Sequence, residues 1–166
     1  PPFTRQLTPS MTSLSLPSLR VEALNRNPDL AAAIARVRKT RFTMAPEAGS
    51  ERLRRVINKL GFHEQAILSA VQNAARAGWE SVKCYFMIGL PTETPADLDD
   101  IVRVAREAAS IVRREKRRGF GLTVSASSFV PKPHTPFQWC AQEPMEVLQE
   151  KQRYLRGRLR ELRIDF

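Results

Sequence analysis

Residues 81–94, SVKCYFMIGLPTET, constrain the fold more than any other part of the chain. From Cys84 to Leu90 the side chains are nearly all apolar, the composition of a parallel strand covered on both faces. The Thr94-Pro95 pair that follows is a helix entry, with the hydroxyl as cap and the proline in the first turn. A strand that feeds straight into a helix is half of a β/α unit, and such units build parallel sheets through right-handed crossovers.

The same alternation recurs along the chain. SLSLPSLRVEAL (13–24) alternates serine with leucine and breaks at Pro17, as a strand running into a loop would. A helix capped by Asn27 with Pro28 in its first turn is expected to reach about Arg38. RFTMAP is a short strand ending at Pro46, and SERLRRVINKLG puts Leu53, Val56 and Ile57 on one helical stripe. The next helix starts near Glu64, carries Ile67, Leu68, Val71, Ala74 and Ala75, and stops at Gly78. After Pro95 the apolar positions Leu98, Ile101, Val102, Ala105, Ala108, Ala109 and Val112 mark another helix, followed by a fourth strand, GLTVSASSFV. A last helix from about Pro144 carries Leu148, Leu155, Leu159 and Leu162, with Gly157 weakening its middle.

The expected class is therefore α/β, a partial (β/α) barrel fragment of about four parallel strands with helices on the outer face. Residues 1–12 read as tail or linker, 13–142 as the partial barrel and 143–166 as a C-terminal basic helix. The first strand is expected to be a cut edge where further strands pair, since an open sheet of four leaves long edges exposed.

At 166 residues, with 42% hydrophobic and 27% charged residues, the chain can bury one substantial core but cannot complete an eight-stranded barrel. No apolar run is long enough to span a bilayer, and PPFTRQLTPS lacks the apolar centre of a signal peptide, so no membrane partner and a cytoplasmic location are expected. Cys84 and Cys140 are too few and too far apart for a chain-internal metal motif, and no metal ligand is assigned. Lys and Arg exceed Asp and Glu by 27 to 17, a net charge of +10. Much of it lies in RRVINK (54–59), RREKRR (113–118) and RYLRGRLRELR (153–163). A solvated helix face accounts for such stretches, with nucleic-acid contact (RNA or a ribonucleoprotein) and an exposed interface of a truncated protein as the alternatives.

Three polar, proline-punctuated segments follow strands: APEAGSERLRR (45–55), YFMIGLPTET (85–94) and SSFVPKPHTPFQW (127–139). Ligands of parallel sheets bind at the carboxyl ends of strands, so the three are expected to share one cleft. Glu47 can project its carboxylate there while Gly49 lets the backbone turn, or it can be a helix-entry carboxylate beside an N-cap at Ser50. Lys132 and His134, in a loop stiffened by three prolines, suit an anionic substrate, although a lone loop histidine is more often solvated. Ser18 and Arg20 end the first strand on the same rim, with Arg20 placed to pair with a ligand carboxylate, with Glu47 or with an ordinary surface acid.

The strings SLPSLRVEAL, FTMAPEAGSERLRRVINK, VKCYFMIGLPTET and VSASSFVPKPHTPFQW together resemble the later part of a radical S-adenosylmethionine enzyme. They are most similar to the branch of large, poorly characterised Fe-S oxidoreductases often associated with a cobalamin-binding region. The resemblance implies a partial (β/α)6 barrel in which these strands are the third to sixth. It further implies S-adenosylmethionine and a 4Fe-4S cluster in the full-length parent, with cobalamin left open and the substrate unknown. In that family a Cys-x3-Cys-x2-Cys loop after the first strand holds the cluster. That loop does not occur in this sequence, so the chain alone is expected to be catalytically silent, its partner being the missing N-terminal part of its own barrel.

Carried onto these residues, the family pattern implies a cofactor-binding set of Ser18, Arg20, Glu47, Gly49, Gly89, Pro91, Glu93 and Pro131. Glu47 would face the ribose or ammonium of the cofactor, the main chain near Gly89 its adenine, Glu93 would brace the loop, and Pro131 would frame adenine or substrate. The implied chemistry is hydrogen abstraction by a 5′-deoxyadenosyl radical. The competing class is a non-enzymatic basic module that binds RNA or DNA, or an accessory domain, although interleaved aromatics and zinc spacing are missing from the sequence.

Overall fold

A computed structural model describes residues 41–115 and 120–166. Its elements in chain order are β1 (Arg41–Glu47), α1 (Glu51–Val56), α2 (Glu64–Ala77), β2 (Ser81–Ile88), α3 (Pro95–Arg114), β3 (Gly121–Ser128) and α4 (Met145–Glu161). The three strands form one parallel sheet in the order β1-β2-β3. Each crossover runs through helix, as parallel pairing requires. The chain is thus α/β with a small parallel sheet and helices, consistent with a partial barrel. The strand expected at 13–24, with Ser18 and Arg20, and the helix expected from Asn27 lie outside the described residues, as do 116–119, which include the end of the RREKRR run.

Strand periodicity divides the sheet into two unlike faces. Phe42 and Met44 of β1, Val82, Cys84, Phe86 and Ile88 of β2, and Leu122 and Val124 of β3 are buried in one core with residues of α2, α3 and α4. Ile67 and Val71 reach this core from α2, Ile101, Val102 and Ala105 from α3, and Leu148, Leu155 and Leu159 from α4. The basic last helix therefore shares the core of the sheet.

The alternate residues differ. Thr43, Lys83, Met87, Thr123 and Ser125 are half-buried, and Tyr85 is 39% exposed. The apolar run of β2 suggests cover on both faces; among the described residues the helices cover one of them densely. Tyr85 tolerates the second face because its ring is apolar and its hydroxyl is not.

Helix ends follow their chemistry. Thr94 and Asp97 form a reciprocal capping box at the start of α3, and Gly78 closes α2 in the left-handed conformation at φ 96°. Val104 joins the stripe of α3 predicted from sequence. The stripe of α1 differs more: Leu53 is buried, Val56 is exposed, and Arg54 is buried in its place. α1 ends at Val56, so its inner face is set by one turn rather than by a long periodicity.

Candidate functional site

The three segments expected to share a cleft do meet. Ala48 and Leu53 from the first, Leu90 from the second and Phe129 from the third form a separate apolar cluster, with Met87 and Phe137 packed against it. The Phe129 and Phe137 rings stand edge to face at 6.0 Å. This plug lies where all three strands end, so the polar residues flanking it surround one region at the carboxyl edge of the sheet.

The turn after β1 departs from sequence expectation in its details. β1 continues through Glu47, and it is Glu47 itself that takes the left-handed backbone, at φ 69°. Gly49 serves close approach instead. A Cβ there would lie 2.4 Å from the Ile101 nitrogen and 2.5 Å from the Asp97 carbonyl oxygen, so only glycine lets the turn lie against α3. Ser50 is the N-cap of α1, its hydroxyl accepting from the Leu53 N–H at 3.0 Å. Ser50 caps the helix as one reading of the segment expects, and the Glu47 carboxylate is left to one partner. That partner is Lys59, whose Nζ is 3.3 Å from Glu47 Oε1. Both side chains keep about a third of their exposure, at 30% and 27%.

The turn after β2 is braced from all sides. Gly89 has φ 75° and donates its N–H to Glu93 Oε1 at 2.9 Å. The Glu93 side chain is 1% exposed and receives Lys151 Nζ at 2.6 Å. Lys151 also donates to Glu143 Oε1 at 2.6 Å, joining α4 and the segment before it to the turn. Burial alone would lower the Lys151 pKa, and its bonds to Glu143 and Glu93 outweigh that and raise it. Pro91 is half-buried beside these residues, and Leu148 occupies the space beside Gly89 where a Cβ would fall.

Asp97 links the two turns. Its carboxylate accepts from Ser50 Oγ, from Arg52 Nη2, and from both the N–H and the hydroxyl of Thr94 at 2.8 Å. Burial pushes this carboxyl up, and the hydrogen bonds from Ser50, Thr94 and Arg52 more than reverse it, down to about 2. Arg54 grips the first turn from below, donating Nη1 to the Ala48 and Gly49 carbonyls at 2.8 and 2.9 Å.

The third segment is more open. Lys132 and His134 are exposed, Pro131 is half-buried, and the loop is held by Thr135 donating to the Lys132 carbonyl at 2.7 Å. Sequence reasoning did not single out Asp97, Arg52, Arg54, Lys59, Glu143 or Lys151. Thr-x-x-Asp at 94–97 was a legible capping-box signal for Asp97. The rest meet across separations such as the 58 positions between Glu93 and Lys151, which no local pattern encodes.

Comparison with known proteins gives the family. The model of the radical SAM superfamily matches residues 10–105, more than half of the chain. The chain belongs to the radical SAM superfamily. It is also 38% identical over 126 residues to an uncharacterized protein of Methanocaldococcus jannaschii, covering 75% of this chain and 25% of that relative. The chain thus spans about a quarter of the length of the curated relative it matches.

Radical SAM proteins generally use S-adenosylmethionine and a 4Fe-4S cluster, and the described residues fit these two groups unequally. No three His, Cys, Asp or Glu side chains among them converge as a metal site, and Cys84 is buried in the core with its thiol pushed up to about 12 by burial. The described residues therefore do not fit the cluster. They do fit the organic cofactor. Glu47 offers a partly exposed carboxylate, and Glu143 Oε2, buried beside Gly89, has no hydrogen-bond donor of its own. Acceptors of this kind suit hydroxyl, amino and ammonium groups. No helix among the described residues is long and apolar enough to cross a membrane.

Proposed function

We propose that this chain forms the S-adenosylmethionine and substrate cleft of a radical enzyme, with the cluster-ligating loop in the remainder of a longer protein. The observation that carries the reading is the meeting of three strand-end segments around one apolar plug at the carboxyl edge of a parallel sheet. In this reading Glu47 receives the ribose hydroxyls or the ammonium, the main chain from Gly89 to Pro91 faces adenine, and Pro131 closes the opposite wall. Ser18, Arg20 and Gly49 belong to the same proposal, Gly49 through the close packing that fixes Glu47. When bound, S-adenosylmethionine supplies a 5′-deoxyadenosyl group for hydrogen abstraction.

The residues of this chain contribute orientation and exclusion of water. Glu93, clamped by Lys151, keeps the second turn rigid, so a ligand resting on it loses little freedom to loop motion. The plug of Leu90, Phe129 and Phe137 gives the cleft a dry floor. Lys132 and His134 stand at the open rim, where they would meet an anionic substrate. Alone, without the cluster, the chain is proposed to bind and not to turn over. Cobalamin has no support among the described residues and forms no part of the reading. A reducing, cytoplasmic setting suits the free thiols of Cys84 and Cys140.

Calorimetric titration of the chain with S-adenosylmethionine tests this reading. Saturable binding that weakens at least fivefold in Glu47→Gln supports it, and absence of binding at millimolar cofactor overturns it.

One observation favours a second reading. Arg153, Arg156, Arg158 and Arg160 are all exposed along α4, a surface that suits RNA or a ribonucleoprotein. Binding to generic RNA that persists at moderate salt would favour it, whereas binding that vanishes there is charge alone.

A further inference from the structure

The sheet face opposite the helices carries a cation that enters no ion pair among the described residues. Parallel register sets Thr43, Lys83 and Thr123 side by side across β1, β2 and β3, and continues to Asp165, which bridges Thr123 from the outer edge. The next row on the same face pairs Tyr85 with Ser125, and the row beyond it Met87 with Ser127. Lys83 lies over the Tyr85 ring, its Nζ 4.6 Å from the centroid. That contact holds the ammonium across the face rather than letting it extend into solvent.

Among the described residues Lys83 enters no ion pair. The charged groups of the neighbouring strands do not neutralise it. Glu47 is taken by Lys59 at 3.3 Å. Arg41, exposed at the start of β1, adds a second positive charge. Asp165 is two strand spacings from Lys83, roughly 10 Å at about 4.8 Å per strand. A fixed cation flanked by the hydroxyls of Thr43, Thr123, Tyr85 and Ser125 has the donor set that receives an oxyanion.

We propose that Lys83 and the hydroxyls around it bind the anionic end, phosphate or carboxylate, of the substrate. This rests on the reading of the sheet's open face as the substrate side of the cleft. Ile88, at the end of β2, lies five positions after Lys83, about 16 Å at roughly 3.3 Å per residue. The substrate is therefore elongated, with its anion held deep on the sheet and its reacting carbon near the rim that Glu47 and Gly89 define. Binding energy gained far from the reacting atoms is the kind that positions them.

Amide spectra of the isotopically labelled chain, titrated separately with inorganic phosphate, acetate and S-adenosylmethionine, test this. Saturable shifts at Lys83, Tyr85, Thr123 and Ser125 are expected with one of the two anions, and the anion that saturates first identifies the group. Affinity should fall at least tenfold in Lys83→Met, hold within threefold in Lys83→Arg, and hold or improve in Asp165→Asn. The spectra themselves report whether each variant is folded. Shifts confined to the arginines of α4, or unchanged by Lys83→Met, overturn the inference. The cofactor arm separates the two readings. If Gly89 to Glu93 respond to S-adenosylmethionine and the sheet face ignores both anions, this inference fails alone. If the face responds as stated and the loop does not, the anion site stands and the cofactor reading falls.

Discussion

The turns after β1 and β2 occupy equivalent places at the edge of one sheet, and each carries a glutamate paired with a lysine, yet the two pairs are built oppositely. Glu47 and Lys59 meet at 3.3 Å with both side chains about a third exposed, within one strand-turn-helix stretch. Glu93 and Lys151 meet at 2.6 Å, with the glutamate 1% exposed and a second acid, Glu143, on the same lysine. One pair is local and open, and the other is long-range and closed. A carboxylate held by one half-exposed lysine can exchange that partner for a ligand, because solvent already screens the interaction. A carboxylate satisfied inside the fold is committed to holding the loop. On the proposed reading, the difference leaves the first turn free for recognition and commits the second to rigidity.

The contrast can be broken at its glycines first. Gly49→Ala should cost about 3 kcal/mol or more, since the new Cβ would meet main chain of α3 that cannot move alone. Gly89→Ala should cost less, about 1–2 kcal/mol, because its new methyl meets the end of the Leu148 side chain and the strain is mainly that of φ 75°. Urea denaturation of both variants orders the two, and an equal loss would remove the distinction.

The lysines give the next effect. Lys151→Met leaves the buried Glu93 and its neighbour Glu143 without their cation, and should destabilise by about 3 kcal/mol. Exchange of the Gly89 amide should accelerate with it. Lys59→Met should cost no more than about 1 kcal/mol, as exposed pairs do.

Acid sharpens the role of the carboxylate shared by both turns. The folded Asp97 pKa of about 2 lies below the ordinary 3.8, so its stabilisation is fully present above 3.8 and is lost as pH falls toward 2. The shift corresponds to about 2 kcal/mol, by roughly 1.4 kcal/mol per pH unit. Asp97→Asn should be less stable at neutral pH and show a flatter decline over that window, read from urea midpoints at successive pH values. The smallest effect concerns thiols. Under native conditions at pH 8 a thiol reagent should modify Cys140 and leave Cys84, which is buried and held protonated. Two fast-reacting thiols would show that the core beneath β2 opens readily.

Much of the architecture was legible locally. The apolar run of β2, the Thr94-Pro95 entry and the stripe from Leu98 to Ala109 each carry their own structural instruction, and the order of the segments follows from them. The role of Glu93 at its turn came from the family resemblance, and its partner Lys151 was not legible at all. Lys151 lies within a helix that reads as solvated and basic, and only the packing of Leu148 and Leu155 against the sheet turns it inward. Arg54 shows the same limit. Periodicity assigns it to a charged run, while the short α1 buries it under the carbonyls of Ala48 and Gly49.

By itself, then, the sequence determined the alternation of strand and helix, the caps, and the three strand-end segments, because hydrophobic period, proline and hydroxyl caps act over a few residues. The tertiary structure decided which carboxylate is closed and which stays open, why Gly49 must be glycine, and that Lys83 enters no ion pair among the described residues. Those properties depend on distances between residues tens of positions apart, and they are fixed only when the sheet sets its register and the helices close over one of its faces.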